Sequence, residues 1–396
     1  VTSSPKYKQK LLVVLSRFPY PLEKGDKLRA YYQLIGLSEE FDLHVFCTTD
    51  CEVSPADLEK IRPYCKELKV FRLKKGLILL NVLGAFITGK PFQVAYFYQR
   101  WIARKIRQRM EELRPDHIFC QLVRVSEYVK NYHSCPKTID LMDALSKGME
   151  RRAQDAPFYM KWFFREESAR LKRYESKVLD YFEHTVIISG QDKRYIIHPK
   201  NSSIRVIPNG VGERFFNFKE QTAKTCDLIF TGNMSYAPNV QASQFLVKKL
   251  LPVLEKDYPG IRTDLVGATP APSVKSLTSS RVRVTGWVDD MRPYYAGAEI
   301  FIAPMFSGSG MQNKILEAMA MGIPCITTRL ANNAVLAKDG EEIILAETEA
   351  EMCAAVKSLK SDPELYAKIA HNAREFVSSR YNWKAMNGKL VEVIRG

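Results

Sequence analysis

The feature that most constrains this chain is a set of short, unbroken apolar runs spaced by segments of helical periodicity. LLVVLS (11–16), DLHVFCTT (42–49), DHIFCQ (116–121), KTIDLMD (137–143) and HTVIIS (184–189) are such runs, with LRAYYQLIGLSEE and a charged stretch at 157–181 between them. Apolar runs without alternation suit strands covered on both faces, as in a parallel sheet flanked by helices. SIRVIPNGV (203–211), a strand ending in a Pro-Asn-Gly turn, marks a linker, after which the rhythm restarts. DLIFTG (227–232), a helix over 239–255, RTDLVG (262–267), VRVTGW (282–287), EIFIAP (299–304) and PCITT (324–328) follow. No short-period repeat interrupts them. The pattern predicts an α/β chain of two doubly wound, Rossmann-like halves.

Length agrees, since 396 residues exceed what one core comfortably serves and suit two domains of roughly 180 residues. The eight cysteines form no C-x-x-C pair and no zinc-like spacing with histidine, so they fit a reduced, cytoplasmic enzyme better than a disulfide framework. The net charge of +15 comes with no RNP motif and no zinc finger, so nucleic acid is not the expected partner. Anionic sugar nucleotides, an anionic membrane or a plainly solvated surface all accommodate it. No signal peptide is expected, because Lys6, Lys8 and Lys10 precede only Leu11 to Leu15. The apolar run GLILLNVLGAFITG (76–89) is about half of a spanning helix. It either rests on a membrane surface, giving a peripheral contact at the inner face, or packs inside its domain, the commoner outcome.

Ligands of an open parallel sheet sit outside the carboxyl ends of its strands. The segment SGSGMQNKILEAMAMGIPC (307–325) follows the strand EIFIAP and is such a place. Its small residues let backbone approach a ligand, and the unpaired amides of the helix that follows favour an anion. Lys314 adds a positive charge, and Glu317 lies on the same helical face. A carboxylate suits a ribose diol and repels a diphosphate, so Glu317 belongs on the ribose side. The structural alternative is a flexible loop with a Lys314–Glu317 surface pair worth about 0.3 kcal/mol. Gly-Ile-Pro after it reads as the helix stop.

In the first half, TIDLMDALS (138–146) puts Asp143 at the sheet's carboxyl edge. There it would accept from a sugar hydroxyl or orient an acceptor, or Asp143 or Ser146 would cap the next helix. Arg17, Lys24, Lys27 and Arg29 surround Gly25 and Asp26 in a loop suited to an anionic partner or to solvent. The six histidines lack metal-ligand spacing, and no metal is expected.

IPNGV, VTGWVDDMRPYYAGAEIFIAP and GSGMQNKILEAMAMGIPCITT, with FTGNMSYAPNVQA and KSDPELYAKIAHNAREFVSSRYNW, resemble the C-terminal half of retaining glycosyltransferases of family four, which have the GT-B fold. RFPYPLEKGDKLR and RYESKVLDYFEHTVIIS match the N-terminal half more weakly. Within the family the pattern is most similar to the bacterial branch linked to exopolysaccharide and cell-surface glycan assembly. The resemblance implies two Rossmann-like domains facing a central cleft: an acceptor domain over 1–200, a nucleotide-sugar domain over 201–375, and a C-terminal helix, 376–396, returning to the first.

Members commonly carry two glutamates eight residues apart at this loop. Glu317 matches the second, and the first falls on Ser309, a departure that bears on the donor-sugar contacts. The basic residues that often follow the first strand of this half are absent from NMSYAPN, so the resemblance leaves Lys314 as first candidate for the diphosphate, then Arg17, Lys24, Lys27 and Arg29. Gly232, Asn233 and Tyr236 would meet the donor or serve the loop alone. Gly310, Met311, Gln312 and Asn313 complete the phosphate loop. Trp287 or Val288 after Gly286 would meet the base, with Trp287 equally placed to be core. Gly25, flanked by Asp26 and Arg29, would let donor phosphate and acceptor approach. Where many relatives hold a histidine, Met142 or Asp143 stands here.

The implied reaction moves a hexosyl-type sugar from a UDP-sugar to a glycan or lipid-linked acceptor with retention, without cofactor or metal. No side chain presents itself as a covalent nucleophile, which favours front-face attack assisted by the leaving phosphate. Asp143, Lys314 and Glu317 are the candidate catalytic residues. A sugar-nucleotide epimerase of the same fold would form product without acceptor. A non-catalytic basic, membrane- or nucleic-acid-associated relative would bind labelled UDP in a way that salt competes and nucleotide does not.

Overall fold

The computed structural model describes residues 8–218, 223–308 and 310–396, which form two compact units. The first holds the described residues up to Pro208 together with Met386–Gly396, and the second holds Asn209–Ala385. Both are parallel-sheet α/β domains, as the alternating apolar runs require.

The first sheet contains β1 (Lys10–Leu15), β2 (Asp42–Thr49), β3 (Glu67–Arg72), β4 (His117–Gln121), β5 (Lys137–Asp140), β6 (His184–Ile187) and β7 (Arg205–Val206), in the order β3-β2-β1-β4-β5-β6-β7. β1 pairs in parallel with β2 on one side and β4 on the other, Leu11 standing opposite both Leu43 and His117. Leu11 to Leu15 are buried, as an apolar run at the centre of a doubly covered sheet must be. β3 was not among the expected strands: ELKVFR mixes charged and apolar residues because it lies at an edge and is covered on one side only. The last helix, Trp383–Arg395, brings Asn387 into this unit, where its Nδ2 donates to Tyr32 O at 2.9 Å. Gly36 makes room for it, since a Cβ there would lie 2.1 Å from Asn387 Nδ2.

The apolar run at 76–89 forms the helix Lys75–Thr88, and its packing departs from the commoner outcome. Ile78, Val82 and Ala85 face the domain, whereas Leu79, Leu80, Leu83, Phe86 and Ile87 remain exposed.

The second sheet contains β8 (Cys226–Thr231), β9 (Thr263–Val266), β10 (Val282–Val284), β11 (Ala298–Ala303), β12 (Cys325–Thr327) and β13 (Ile344–Leu345), ordered β10-β9-β8-β11-β12-β13. Ile300, Phe301 and Ile302 are fully buried, each side chain contributing roughly 1.5–3 kcal/mol by burial. The strand order reverses direction between β8 and β11, which pair directly through Ile300↔Leu228. In such a sheet the loops leaving these two strands diverge and open a crevice at the carboxyl ends.

Candidate functional site

In the second unit the crevice between β8 and β11 is spanned by one side chain. The helix Asn313–Ala320 follows the loop after β11 and carries Lys314, whose Nζ donates at 2.5 Å to Asn239 Oδ1. Asn239 belongs to the helix Ala237–Phe245, which follows the loop after β8. The ammonium also lies 4.7 Å from the centre of the Phe230 ring and 3.7 Å from Met305 Sδ. A cation therefore sits at the switch point, with an amide oxygen, an aromatic face and a thioether around it.

The backbone is shaped to match. Gly232, at the end of β8, has φ +152°, and a Cβ there would come 2.7 Å from Asn239 Nδ2 and 3.4 Å from Lys314 Nζ. Gly308 and Gly310 have φ of +113° and +76°, left-handed values that larger residues adopt at a cost. The helix they lead into has no acidic residue in its first turn, so its amides and dipole remain favourable to an anion. The Pro-Asn-Gly turn abuts this helix, with Asn209 Nδ2 donating to Asn313 Oδ1 at 3.1 Å and Asn209 N meeting Met311 Sδ at 3.4 Å.

Glu317 lies one turn further along the helix. It accepts from Tyr295 Oη at 3.1 Å, and the phenol also meets Thr231 Oγ1 at 2.8 Å. No ion pair joins Lys314 to Glu317 among the described residues, so the surface pair considered from spacing does not form. Protein surrounds both groups even though a part of each remains open. Burial pushes the Glu317 carboxyl up to about 7, against the pull of Tyr295, Arg214 and Lys314. Burial likewise pulls the Lys314 ammonium down to about 7, with Glu317 opposing it. A cation and a carboxylate that are both reluctant to ionise are suited to a ligand bringing a complementary charge and a pair of hydroxyls.

The other expected residues fall in place unevenly. Gly310, Met311, Gln312 and Asn313 line the loop and first turn, and Ser309 lies outside the described residues. Asn233 uses its Oδ1 to tie its own loop to the one after β9, accepting from Ser235 N at 3.0 Å and Thr269 Oγ1 at 3.0 Å, while its carbonyl accepts from Asn239 Nδ2 at 2.9 Å. Tyr236 is exposed beside it. Trp287 is exposed as well, so the core alternative does not hold, and its Nε1 donates to Asp289 Oδ1 at 3.1 Å. Val288 packs on the core instead. Sequence reasoning missed Asn239, Tyr295, Thr231 and Arg214. Arg214 had a signal, as a cation just after the Pro-Asn-Gly turn.

In the first unit the corresponding carboxyl edge lies at β1, β4 and β5. Arg17, after β1, donates to Asp26 Oδ2 at 2.6 Å, and Arg124, after β4, comes within 3.8 Å of the same oxygen. Both guanidinium groups lie over the Phe97 ring, at 5.9 and 5.5 Å. Asp143 follows β5 beside them. Burial, with repulsion from Asp192, raises its carboxyl to about 6 against the pull of Arg124. It does not cap the helix Leu145–Asp155, whose N-cap is Ala144; the first-turn amide of Ser146 donates to Glu175 Oε1 at 3.0 Å. Met142 holds φ +61° in a buried turn, which commits it to backbone geometry and leaves the polar role to Asp143. Gly25 opens the helix Gly25–Glu40 with nothing within 4 Å of where a Cβ would be.

Arg29 is different from what a loop cation suggests. It is fully buried on the helix Gly25–Glu40, its Nε donating at 2.6 Å to Asp140 Oδ2, which also accepts from Gln33 Nε2 at 2.7 Å. Its work is to neutralise the end of β5, out of reach of a phosphate. Lys27 pairs with Glu23 at 2.8 Å. Arg17 and Arg124 are cations that the first unit presents at its switch point, and Lys24 is exposed at the N-cap of the helix Gly25–Glu40. No cluster of His, Cys, Asp and Glu able to hold a metal exists among the described residues.

Residues 225–362 match the family model described as glycosyl transferases group 1. An uncharacterised 44.6 kDa protein in the cps region of Klebsiella pneumoniae is 23% identical over 398 aligned residues, covering 95% of this chain and 97% of that one. The lipopolysaccharide core biosynthesis glycosyltransferase LpsE of Rhizobium meliloti is 29% identical over 118 residues, which are 29% of this chain and 34% of LpsE. Among solved structures, Anabaena HepE in complex with UDP and glucose superposes with a TM-score of 0.69 at 15% identity, over 98% of this chain and 99% of HepE. WaaG, a glycosyltransferase involved in lipopolysaccharide biosynthesis, gives 0.64 at 14% identity, over 98% of this chain and 100% of WaaG. The fold is therefore GT-B.

Proposed function

We propose, from a second unit that is a group 1 glycosyltransferase domain, that this chain transfers a sugar from a nucleoside-diphosphate donor to a glycan or lipid-linked acceptor in cell-surface polysaccharide assembly. The observation that carries this reading is Lys314, an ammonium held by Asn239 where the loops after β8 and β11 part, in surroundings that disfavour its charge. A diphosphate placed there would restore the charge, and the first-turn amides of the helix Asn313–Ala320 would share the load. Glu317, backed by Tyr295, takes the ribose hydroxyls. UDP is the expected nucleotide, in keeping with the complex in which HepE was solved.

Transfer proceeds with retention. The acceptor oxygen attacks the anomeric carbon on the face from which the diphosphate departs, the C–O bond to phosphate breaks, and the departing phosphate oxygen takes the acceptor's proton. Lys314 and the helix amides stabilise the charge that develops on that oxygen. Asp143, ionised above about pH 6, accepts a hydrogen bond from an acceptor hydroxyl and orients it.

The test is thermal stabilisation by UDP, GDP, ADP and CDP, followed by transfer from the best-bound nucleotide's sugar to isolated cell-surface glycan precursors. Selective stabilisation by one nucleoside diphosphate and acceptor-dependent release of it support the reading. Formation of an epimeric sugar nucleotide without acceptor, or indifference to all four nucleotides, overturns it.

A further inference from the structure

The helix Lys75–Thr88 has no polar face. Ile78, Val82 and Ala85 take the inner side, and Leu79, Leu80, Leu83, Phe86 and Ile87, at the spacing of one helical face, take the outer side. A helix apolar all round is ordinarily buried, yet Ile87 is 90% exposed. The helix Phe158–Val178 adds Phe158, Tyr159 and Trp162 to the same surface, Phe158 at 86% and Trp162 at 63% exposure. Phe86 lies 4.7 Å from Phe92, and Phe92 stacks on Phe163 at 5.0 Å, so a row of rings runs from the first exposed set to the helix that carries the second, where Phe163 is the neighbour of Trp162 in sequence.

The surface is held rigid. Arg170 donates to Ala85 O at 2.5 Å and Lys90 O at 3.1 Å, closing the last turn of the helix Lys75–Thr88, while its guanidinium lies 4.6 Å from the Phe92 ring centre. Glu167 accepts from Phe92 N at 2.7 Å and Gln93 N at 3.0 Å. An apolar face locked in place by buried charges is built to be covered.

Its charge says what covers it. Residues 74–90 contain Lys74, Lys75 and Lys90 and no acid. At the amino end of the helix a groove is lined by Lys69, Arg72, Lys74, Lys75 and Lys105, with Asp50 the one acid among its lining residues; Lys69 and Arg72 pair with Glu67 and Glu52 beside it, and Lys74 and Lys75 flank the start of the helix. Around the second helix Arg152 and Arg165 are exposed, with Glu150 the exposed acid among residues 150–165 whose exposure is described. Apolar and aromatic side chains rimmed by lysine and arginine match the acyl boundary and anionic headgroups of a bilayer. At about 1.5 Å per residue the helix is about 21 Å long, too short to cross a hydrocarbon core of about 30 Å, so it lies on the surface.

We propose that this face of the first unit, the outer side of the helix Lys75–Thr88 with Phe158, Tyr159 and Trp162, docks on an anionic lipid bilayer. The proposal stands on the surface alone and does not depend on the transferase reading. Both helices start beyond the carboxyl ends of strands, the first after β3 and the second after the short helix that follows β5, so docking sets the edge carrying Arg17, Arg124 and Asp143 toward lipid-borne molecules.

The test uses the full chain with vesicles of phosphatidylcholine alone and of phosphatidylcholine with phosphatidylglycerol. The chain should sediment with the anionic vesicles, at least about tenfold more weakly with neutral ones or at high salt. The double substitution Leu80→Glu, Ile87→Glu should lower the anionic partition by at least about tenfold, leaving the thermal shift with UDP as in wild type. Independently of any folding effect, brominated lipid should quench the wild-type tryptophan fluorescence, and Trp162→Phe should remove that quenching. No binding to anionic vesicles, binding undiminished in the double variant, or quenching unchanged in Trp162→Phe overturns the proposal. So does a wild-type dimer, seen by sedimentation equilibrium, that the double variant makes monomeric without vesicle binding in either form.

Discussion

Replacing Lys314 by methionine should stabilise the chain while abolishing diphosphate binding, two effects that a structural lysine would not combine. Burial lowers the Lys314 ammonium from 10.5 to about 7, so holding it charged in the folded chain costs roughly 5 kcal/mol as an upper bound. Below pH 7 the folded and unfolded chains are both protonated at this group and the whole penalty is present. Between pH 7 and 10.5 the unfolded chain binds the extra proton, so stability rises with pH and the penalty fades. Methionine keeps the stem and removes the charge, at the loss of the bond to Asn239, a charged hydrogen bond worth about 1.5–3 kcal/mol. The net expectation at pH 6 is a gain of about 2 kcal/mol, or a rise in Tm of roughly 5 °C, shrinking towards pH 10. Urea unfolding of the full chain at pH 6 and pH 9 reads the first effect. Calorimetry of UDP and uridine reads the second: UDP should lose its advantage over uridine in the variant. In wild type at pH 8.5, UDP binding should take up protons as Lys314 recharges, visible as a dependence of the binding heat on buffer ionisation. A variant less stable than wild type at pH 6 that still binds UDP with unchanged proton uptake would refute the argument.

Three further outcomes follow from the same geometry. Because burial raises the Glu317 carboxyl from 4.5 to about 7, its contribution to stability is present at low pH and lost as pH rises through 7; Glu317→Gln should flatten that fall between pH 5 and pH 8 in urea titrations and weaken uridine as well as UDP. Gly232→Ala, at φ +152° and against Asn239 and Lys314, should cost about 1–3 kcal/mol and reduce UDP affinity, read by thermal melts with and without nucleotide. Arg29→Met leaves Asp140 buried without its cation, so it should destabilise the first unit by about 3–5 kcal/mol while a chain that still folds keeps its nucleotide preference.

The strands of both sheets were legible because a doubly covered strand must be apolar along its length. β3 and β13 were not: β3 mixes in charges at an edge, and β13 has only two residues. The glycine loop after β11 was legible from its composition and its place after an apolar strand. Its electrostatic design was not, because Asn239 and Tyr295 reach Lys314 and Glu317 from other elements, separated in sequence by 75 and 22 residues. Arg29 shows the same limit, since a cation between Asp26 and the apolar part of a helix reads as solvent-facing until its partner, 111 residues away, is found. The run at 76–89 was ambiguous because apolar residues occupy both faces of its helix, and periodicity can distinguish only faces that differ.

The most direct measurement is a crystal structure of the chain with UDP. The pyrophosphate should lie within hydrogen-bond distance of Lys314 Nζ and the amides opening the helix Asn313–Ala320, with the ribose on Glu317. A nucleotide bound elsewhere, with Lys314 still donating to Asn239 and no phosphate beside it, would contradict the account.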